Sequence, residues 1–167
     1  NKLTMEQISF GQGLGVVPLS FVSAAAAIIN GGYLIEPTLY LRDKSYNTNA
    51  KLIASDVSKS MRYVMREVVK NGSGKKADVD GYNVIGKTGT ADKPCITGGY
   101  CGRMTSFVGA FPGNDPEYVV LVSLDNPKGK KGVRGSSAYW NAAPAAGEII
   151  KLIAPQLNIP IQNNFNV

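Results

Sequence analysis

The chain has 167 residues, 44% of them apolar, and a formal net charge of +6. That is enough length and apolar content for one domain with a core, and it excludes a disordered tail. Histidine is absent, which removes Ser–His and Cys–His catalysis within this chain and most transition-metal sites. No apolar run reaches the length of a membrane span; the longest, Val17 to Ile29, is too short. There is no signal-peptide pattern, and the chain opens on Asn1, so it reads as a piece of a longer polypeptide.

Taken in order, Gly11-Gln12-Gly13-Leu14-Gly15 is a flexible glycine-rich lead that matches no dinucleotide fingerprint. Pro18 suits a first helical position. Leu19 to Ile29 is apolar on nearly every side and predicts a buried central helix, stopped by Asn30-Gly31-Gly32. Tyr33 to Leu41 reads as a short extended segment and Arg42 to Ala50 as a polar loop. Ser55 is placed to cap a second helix, with Val57, Met61, Val64, Met65, Val68 and Val69 on one face and Asn71-Gly72 at its end. A strand is expected from Tyr82 to Thr90, bounded after it by Ala91-Asp92-Lys93-Pro94. Strands Thr105 to Phe111 and Tyr118 to Leu124 should form a hairpin about Pro112-Gly113-Asn114-Asp115. A last helix is expected over Ala145 to Ile153, ending before Pro155, and an extended surface tail from Gln156. Helices, then strands with a hairpin, then a helix predict an α+β fold with an antiparallel sheet.

The basic run Lys128-Gly129-Lys130-Lys131-Gly132-Val133-Arg134 has no interleaved aromatics, so it reads as a solvated loop and supports no nucleic-acid partner. Cys95 and Cys101 flank five residues. Without histidine they are weak candidates for zinc; a small disulfide-closed loop fits an oxidising compartment, and two free thiols are the alternative. No metal or cofactor site is expected.

Gly81-Tyr82-Asn83-Val84-Ile85-Gly86-Lys87-Thr88-Gly89-Thr90-Ala91 carries two overlapping motifs. Read from Gly81 it is G-x-x-x-x-G-K-T, a nucleotide phosphate loop. That loop needs a buried strand before it and a helix starting at its Lys-Thr. Here polar Ser73 to Asp80 precedes it, and Gly89 follows Thr88, a poor first-turn residue. Read from Lys87 it is K-T-G-T on a strand. Thr88 and Thr90 then share one face, where both hydroxyls can bind one carboxylate. Lys87 supplies positive charge, although alternation alone does not put it on the threonine face. Gly89 permits close backbone approach. A free sheet edge there would pair with an extended peptide, and the Thr90 N–H could stabilise an oxyanion.

In its wider context this box resembles the C-terminal part of the transpeptidase domain of class B penicillin-binding proteins, nearest to the septal cell-division D,D-transpeptidases. The resemblance rests on an ordered set: Ser9-Phe10-Gly11-Gln12-Gly13-Leu14-Gly15-Val16-Val17-Pro18-Leu19, then Asn30-Gly31-Gly32, Asn71-Gly72-Ser73-Gly74-Lys75-Lys76-Ala77, Val84 to Ala91, Thr105 to Pro112 and Tyr118 to Val122. It implies an antiparallel sheet with helices on both faces and serine acyl transfer that cross-links stem peptides ending in D-Ala-D-Ala, with β-lactams acylating the same serine. It implies Lys87 and Thr90 as catalytic, Lys87, Thr88, Gly89 and Thr90 as substrate-binding, and a loop near the cleft from Ala91 to Met104. It also implies divisome partners and an anchor at the bacterial inner membrane, facing the extracytoplasmic side, carried by residues beyond this chain.

The family uses S-x-x-K, S-x-N and K-T-G boxes in that order. Ser73-Gly74-Lys75-Lys76 and Ser45-Tyr46-Asn47 spell the first two, but in reversed order and in turn-like or loop settings. Residues 1–167 are therefore expected to be the C-terminal portion of one such domain, lacking its nucleophile and base and inactive alone. It would need the N-terminal part of the same domain, and without it would be prone to swapping or oligomerisation. Two other readings stay open: a non-catalytic peptide-binding or divisome scaffold module, and a β-lactamase-like relative whose added general base lies upstream.

Overall fold

The computed structural model describes residues 2–41, 50–129, 136–162 and 164–166. The polar loop expected over 42–49, with its Ser45-Tyr46-Asn47 tripeptide, and the basic run from Lys130 onward lie outside the described residues. Strands β1 (Ile85–Pro94), β2 (Tyr100–Phe111) and β3 (Tyr118–Asp125) form an antiparallel sheet in the order β1-β2-β3. The helices are α1 (Lys2–Ser9), α2 (Pro18–Ile29), α3 (Ser55–Asn71) and α4 (Ala142–Ile153). Short 3₁₀ turns at Lys75–Ala77 and Ala138–Trp140 precede β1 and α4.

Strand alternation sorts the core into two layers. Phe107 and Phe111, with cross-strand Val120, Val122 and Leu124, pack on Ala142, Ala143, Ala146 and Ile150 of α4. The other parity, Ile85 and Ala110 with Val119, packs on Ile29 of α2 and Met65 of α3. The expected α+β arrangement, with helices on both faces of an antiparallel sheet, is what the chain adopts. Helix α4 comes close because its buried face is small: a Cβ on Gly147 would lie 2.9 Å from the Lys76 carbonyl oxygen. The turn leading to β1 is thereby clamped beneath α4.

Several elements differ from expectation. The expected buried helix is mostly open: α2 buries only Ala27 and Ile29, and Leu19 is 58% exposed. On α3 the expected face is narrower, with Met65 and Val69 buried but Val57 and Val64 exposed. Ser58 is buried on that face instead, its Oγ accepting from the Gly31 N–H at 3.0 Å. Ser55 is the first helical residue rather than the cap; its hydroxyl binds the Lys51 ammonium at 2.9 Å, and Ala54 takes the cap position with no side-chain bond. Helix α4 starts three residues early, at Ala142, because the Asn141 side chain accepts from the Ala142 N–H at 2.6 Å. Helix α1 had no signal in the reading of the sequence.

The tail is not a free surface segment. Ile159 is buried in the α4-side core, the Gln162 N–H donates to the Gly81 carbonyl at 2.7 Å, and Asn83 and Asn114 both donate to the Asn164 carbonyl. The C-terminal segment thus laces the run into β1 to the β2–β3 turn.

Candidate active site

The run into the K-T-G strand is rigidly held. Tyr82, Val84 and Ile85 are buried. Arg66 of α3 donates to the Val84 carbonyl at 2.9 Å and pairs with Asp78 at 2.6 Å. Gly86 faces Gly109 across the register, and the Phe107 ring lies over both; a Cβ at either position would overlap it. Such a cover leaves the strand no freedom to slide.

From Lys87 onward the strand emerges. Among the described residues β1 pairs only with β2, so it is the sheet edge. Thr88 and Thr90 share the α4-side face by alternation, and Lys87 has the opposite parity. The exposed Lys87 chain folds back around the edge, its Nζ donating to the Thr88 carbonyl at 2.6 Å. Thr90 is exposed; its Oγ1 accepts from the Ala138 N–H at 3.2 Å and keeps its own proton to donate. Thr88 is half-buried, its hydroxyl 2.7 Å from that of Ser73. In an antiparallel strand the N–H and C=O of one residue point the same way. The Thr90 carbonyl is met from the open side by Gln12, so the Thr90 N–H faces that open side as well.

A Cβ on Gly89 would lie 2.6 Å from Ser106 Oγ on β2, a hydroxyl that is free to rotate. Thr105, across the register from Thr90, is fully buried and its hydroxyl has no hydrogen-bond partner among the described residues.

The expected loop from Ala91 to Met104 is instead an arm of the sheet. β1 continues to Pro94 and β2 begins at Tyr100, leaving only 95–99 as the turn. Asp92 pairs with Arg103 directly across the register at 2.9 Å, and Lys93 reaches past β2 to Asp125 of β3 at 2.6 Å. The register shifts between Lys93 and Pro94, where a residue without an N–H is tolerated. Cys95 and Cys101 are joined across this turn, their Cα atoms 5.4 Å apart.

Ser73 lies in the turn after α3, not at a helix start, and Lys76 stacks its ammonium 3.8 Å over the Trp140 ring. The Ser73–Lys76 pair is therefore not arranged as nucleophile and base. Ser73, Ala138 and Gln12 nonetheless touch the strand, and sequence reasoning did not place them there: they are distant in the chain, and only the glycines beside Gln12 hinted at a special backbone. No helix among the described residues is long and apolar enough to cross a membrane.

The comparisons agree with this architecture. A family model described as "Penicillin binding protein transpeptidase domain" matches residues 1–151. The chain is 36% identical to the stage V sporulation protein D of Bacillus subtilis over 93% of its own length and 25% of that protein's. It is 38% identical to the probable peptidoglycan D,D-transpeptidase FtsI of Caulobacter vibrioides, again over 93% of this chain and 28% of the relative. It thus spans about a quarter of the length of these curated relatives. Among solved structures, the transpeptidase domain of Burkholderia pseudomallei penicillin-binding protein 3 superposes with a TM-score of 0.84 at 28% identity, covering 97% of this chain and 49% of that one. The penicillin-binding protein 3 of Mycobacterium tuberculosis, solved with ampicillin, gives 0.79 at 26% identity, covering 96% and 39%. With most of its length matched by the family model and its layers shared with those structures, the chain belongs to the penicillin-binding protein transpeptidase domain family.

Proposed function

We propose that the chain is the C-terminal portion of a septal peptidoglycan D,D-transpeptidase and supplies the strand on which its acyl donor lies. The observation that carries the reading is an edge strand with Thr88 and Thr90 on one face and the Thr90 N–H at the open side. The Thr88 and Thr90 hydroxyls bind the C-terminal carboxylate of a D-Ala-D-Ala stem peptide, and Lys87 compensates its charge. A serine outside this chain attacks the penultimate D-Ala carbonyl. The Thr90 N–H donates to the oxyanion, the C–N bond breaks, and D-Ala leaves with a proton delivered by the upstream base. The amine of a second stem peptide then attacks the ester, forms the cross-link and frees the serine. A β-lactam acylates the same serine as its ring C–N bond opens, in keeping with the ampicillin complex of the mycobacterial relative.

On this reading the chain alone is inactive. The whole protein is anchored at the inner membrane, faces the extracytoplasmic side and works with divisome partners, as the resemblance to septal cell-division transpeptidases implies. The test is intact mass of the longer polypeptide after incubation with a penicillin, with the adduct mapped. One adduct on a serine upstream of Asn1 supports the reading, and an adduct on Ser73 redraws the site. No adduct on a folded protein would favour a peptide-binding module without chemistry.

A further inference from the structure

The glycine-rich lead has a definite shape that the proposed chemistry does not use. Gly11 and Gly13 have φ of +84° and +73°, a region that favours glycine. Between them the Gln12 N–H donates to the Gln7 carbonyl at 2.9 Å, tying the turn to the end of α1. The result is a single half-buried side chain between exposed glycines. The Gln12 amide lies along the open edge of β1, where Oε1 accepts from the Asp92 N–H at 3.2 Å and Nε2 reaches the Thr90 carbonyl at 3.5 Å. A side-chain amide has the same donor and acceptor as a peptide bond. Gln12 therefore stands where the next peptide unit of an added strand would pair.

The direction of the ligand gives this position its meaning. With the carboxylate at Thr88 and Thr90 and the reacting carbonyl at the Thr90 N–H, the donor peptide runs N-terminally past Thr90 toward Asp92. Its first amide N–H beyond the reacting residue meets the Thr90 carbonyl, where the long Gln12 bond yields. The following unit meets Asp92, whose N–H Gln12 already holds at the shorter distance. We infer that Gln12 is a register stop: it ends backbone pairing of the acyl donor at Thr90, so the enzyme reads the C-terminal D-Ala-D-Ala unit and takes little from the residues before it. A groove of about 540 Å³ opens behind the glycine segment, between Leu14, Phe21, Met104 and Leu121. It gives a displaced side chain room to withdraw.

This inference rests on the transpeptidase reading, and its test separates the two. The acylation-competent polypeptide that carries this chain is compared with its Gln12→Ala and Gln12→Leu variants. Two donors end in the same D-alanyl thioester of mercaptoacetate; one is capped by acetyl directly before that residue, and the other carries a three-residue stem. Acylation of the serine breaks the C–S bond and releases the thiol, which is titrated. The parent should show a ratio of long-donor to short-donor acylation efficiency near unity. Both variants should raise that ratio about fivefold, the effect of one additional backbone hydrogen bond at ~1 kcal/mol. A ratio within twofold of the parent's in either variant overturns the inference; if only the alanine variant shifts, bulk and not the amide is responsible. A parent that accepts neither thioester nor benzylpenicillin removes the transpeptidase reading itself, and the register stop falls with it.

Discussion

Helices α2 and α4 have the same length and are both apolar, yet α4 buries five residues and α2 only two. The difference lies in what each faces. Helix α4 lies on the Phe107 layer of the sheet, and its alanines and Gly147 let it settle against the turn before β1. Helix α2 meets the sheet at its last turn, through Ile29, and leaves Leu19 and Phe21 exposed beside Leu14, Val16 and Val17. Apolar composition records the burial a segment is built for; contacts record the burial it has here. The α4 side is a finished core, and the α2 side is an unfinished one.

Four measurements would break or sharpen that contrast, each by chemical denaturation of the polypeptide that carries this chain. Phe107→Ala removes the ring that covers Gly86 and Gly109 and should destabilise by about 3–5 kcal/mol. A loss under ~1 kcal/mol would mean the α4 layer is looser than its packing indicates. Opening the Cys95–Cys101 link by Cys95→Ser with Cys101→Ser removes a short loop constraint at the end of the hairpin, and should cost about 2 kcal/mol. Thiol titration of the denatured, unreduced parent gives an independent reading: two free thiols from an oxidising compartment would refute the bridge. Thr105→Val deletes a buried hydroxyl that has no partner among the described residues while keeping the shape, and should stabilise by about 1 kcal/mol. Destabilisation would show that the hydroxyl has a partner under Thr90 in the whole protein. Leu19→Gln should change stability by less than ~0.5 kcal/mol if α2 is as open in the longer polypeptide as here. A loss of ~2 kcal/mol or more would show that segments beyond this chain bury α2.

Where local pattern coincided with tertiary role, the sequence was readable. The β2–β3 hairpin, the long helix α3 and the K-T-G strand were all expected, because alternation, helical spacing and turn residues pointed one way. The misses share a cause: the deciding contact was distant in the chain. The segment holding Asp92 and Lys93 was expected to be a loop, but Arg103 stands opposite Asp92 and Asp125 of β3 is within reach of Lys93. The tail looked free because nothing local announces that Asn83 and Asn114 will hold Asn164. At the candidate site, Lys87, Thr88, Gly89 and Thr90 were legible as a motif. Their neighbours Ser73, Ala138 and Gln12 were not, since hydrogen bonds across 15, 48 and 78 residues leave no periodicity.

The ring of Phe107 over Gly86 and Gly109 has a consequence for how the strand can change. Glycine is enforced from within at Gly86, just before the Lys87-Thr88 pair, where the Val108 carbonyl as well as the ring would meet a Cβ. A strand so constrained cannot be reshaped by single substitutions at those glycines without loosening the sheet that carries it. The half-exposed arm of Ala91, Asp92 and Lys93, just beyond Thr90, is not locked in this way. Under the proposed function, substitutions that spare the fold while altering what the strand binds are therefore channelled toward that arm and toward the Gln12 turn that leans on it.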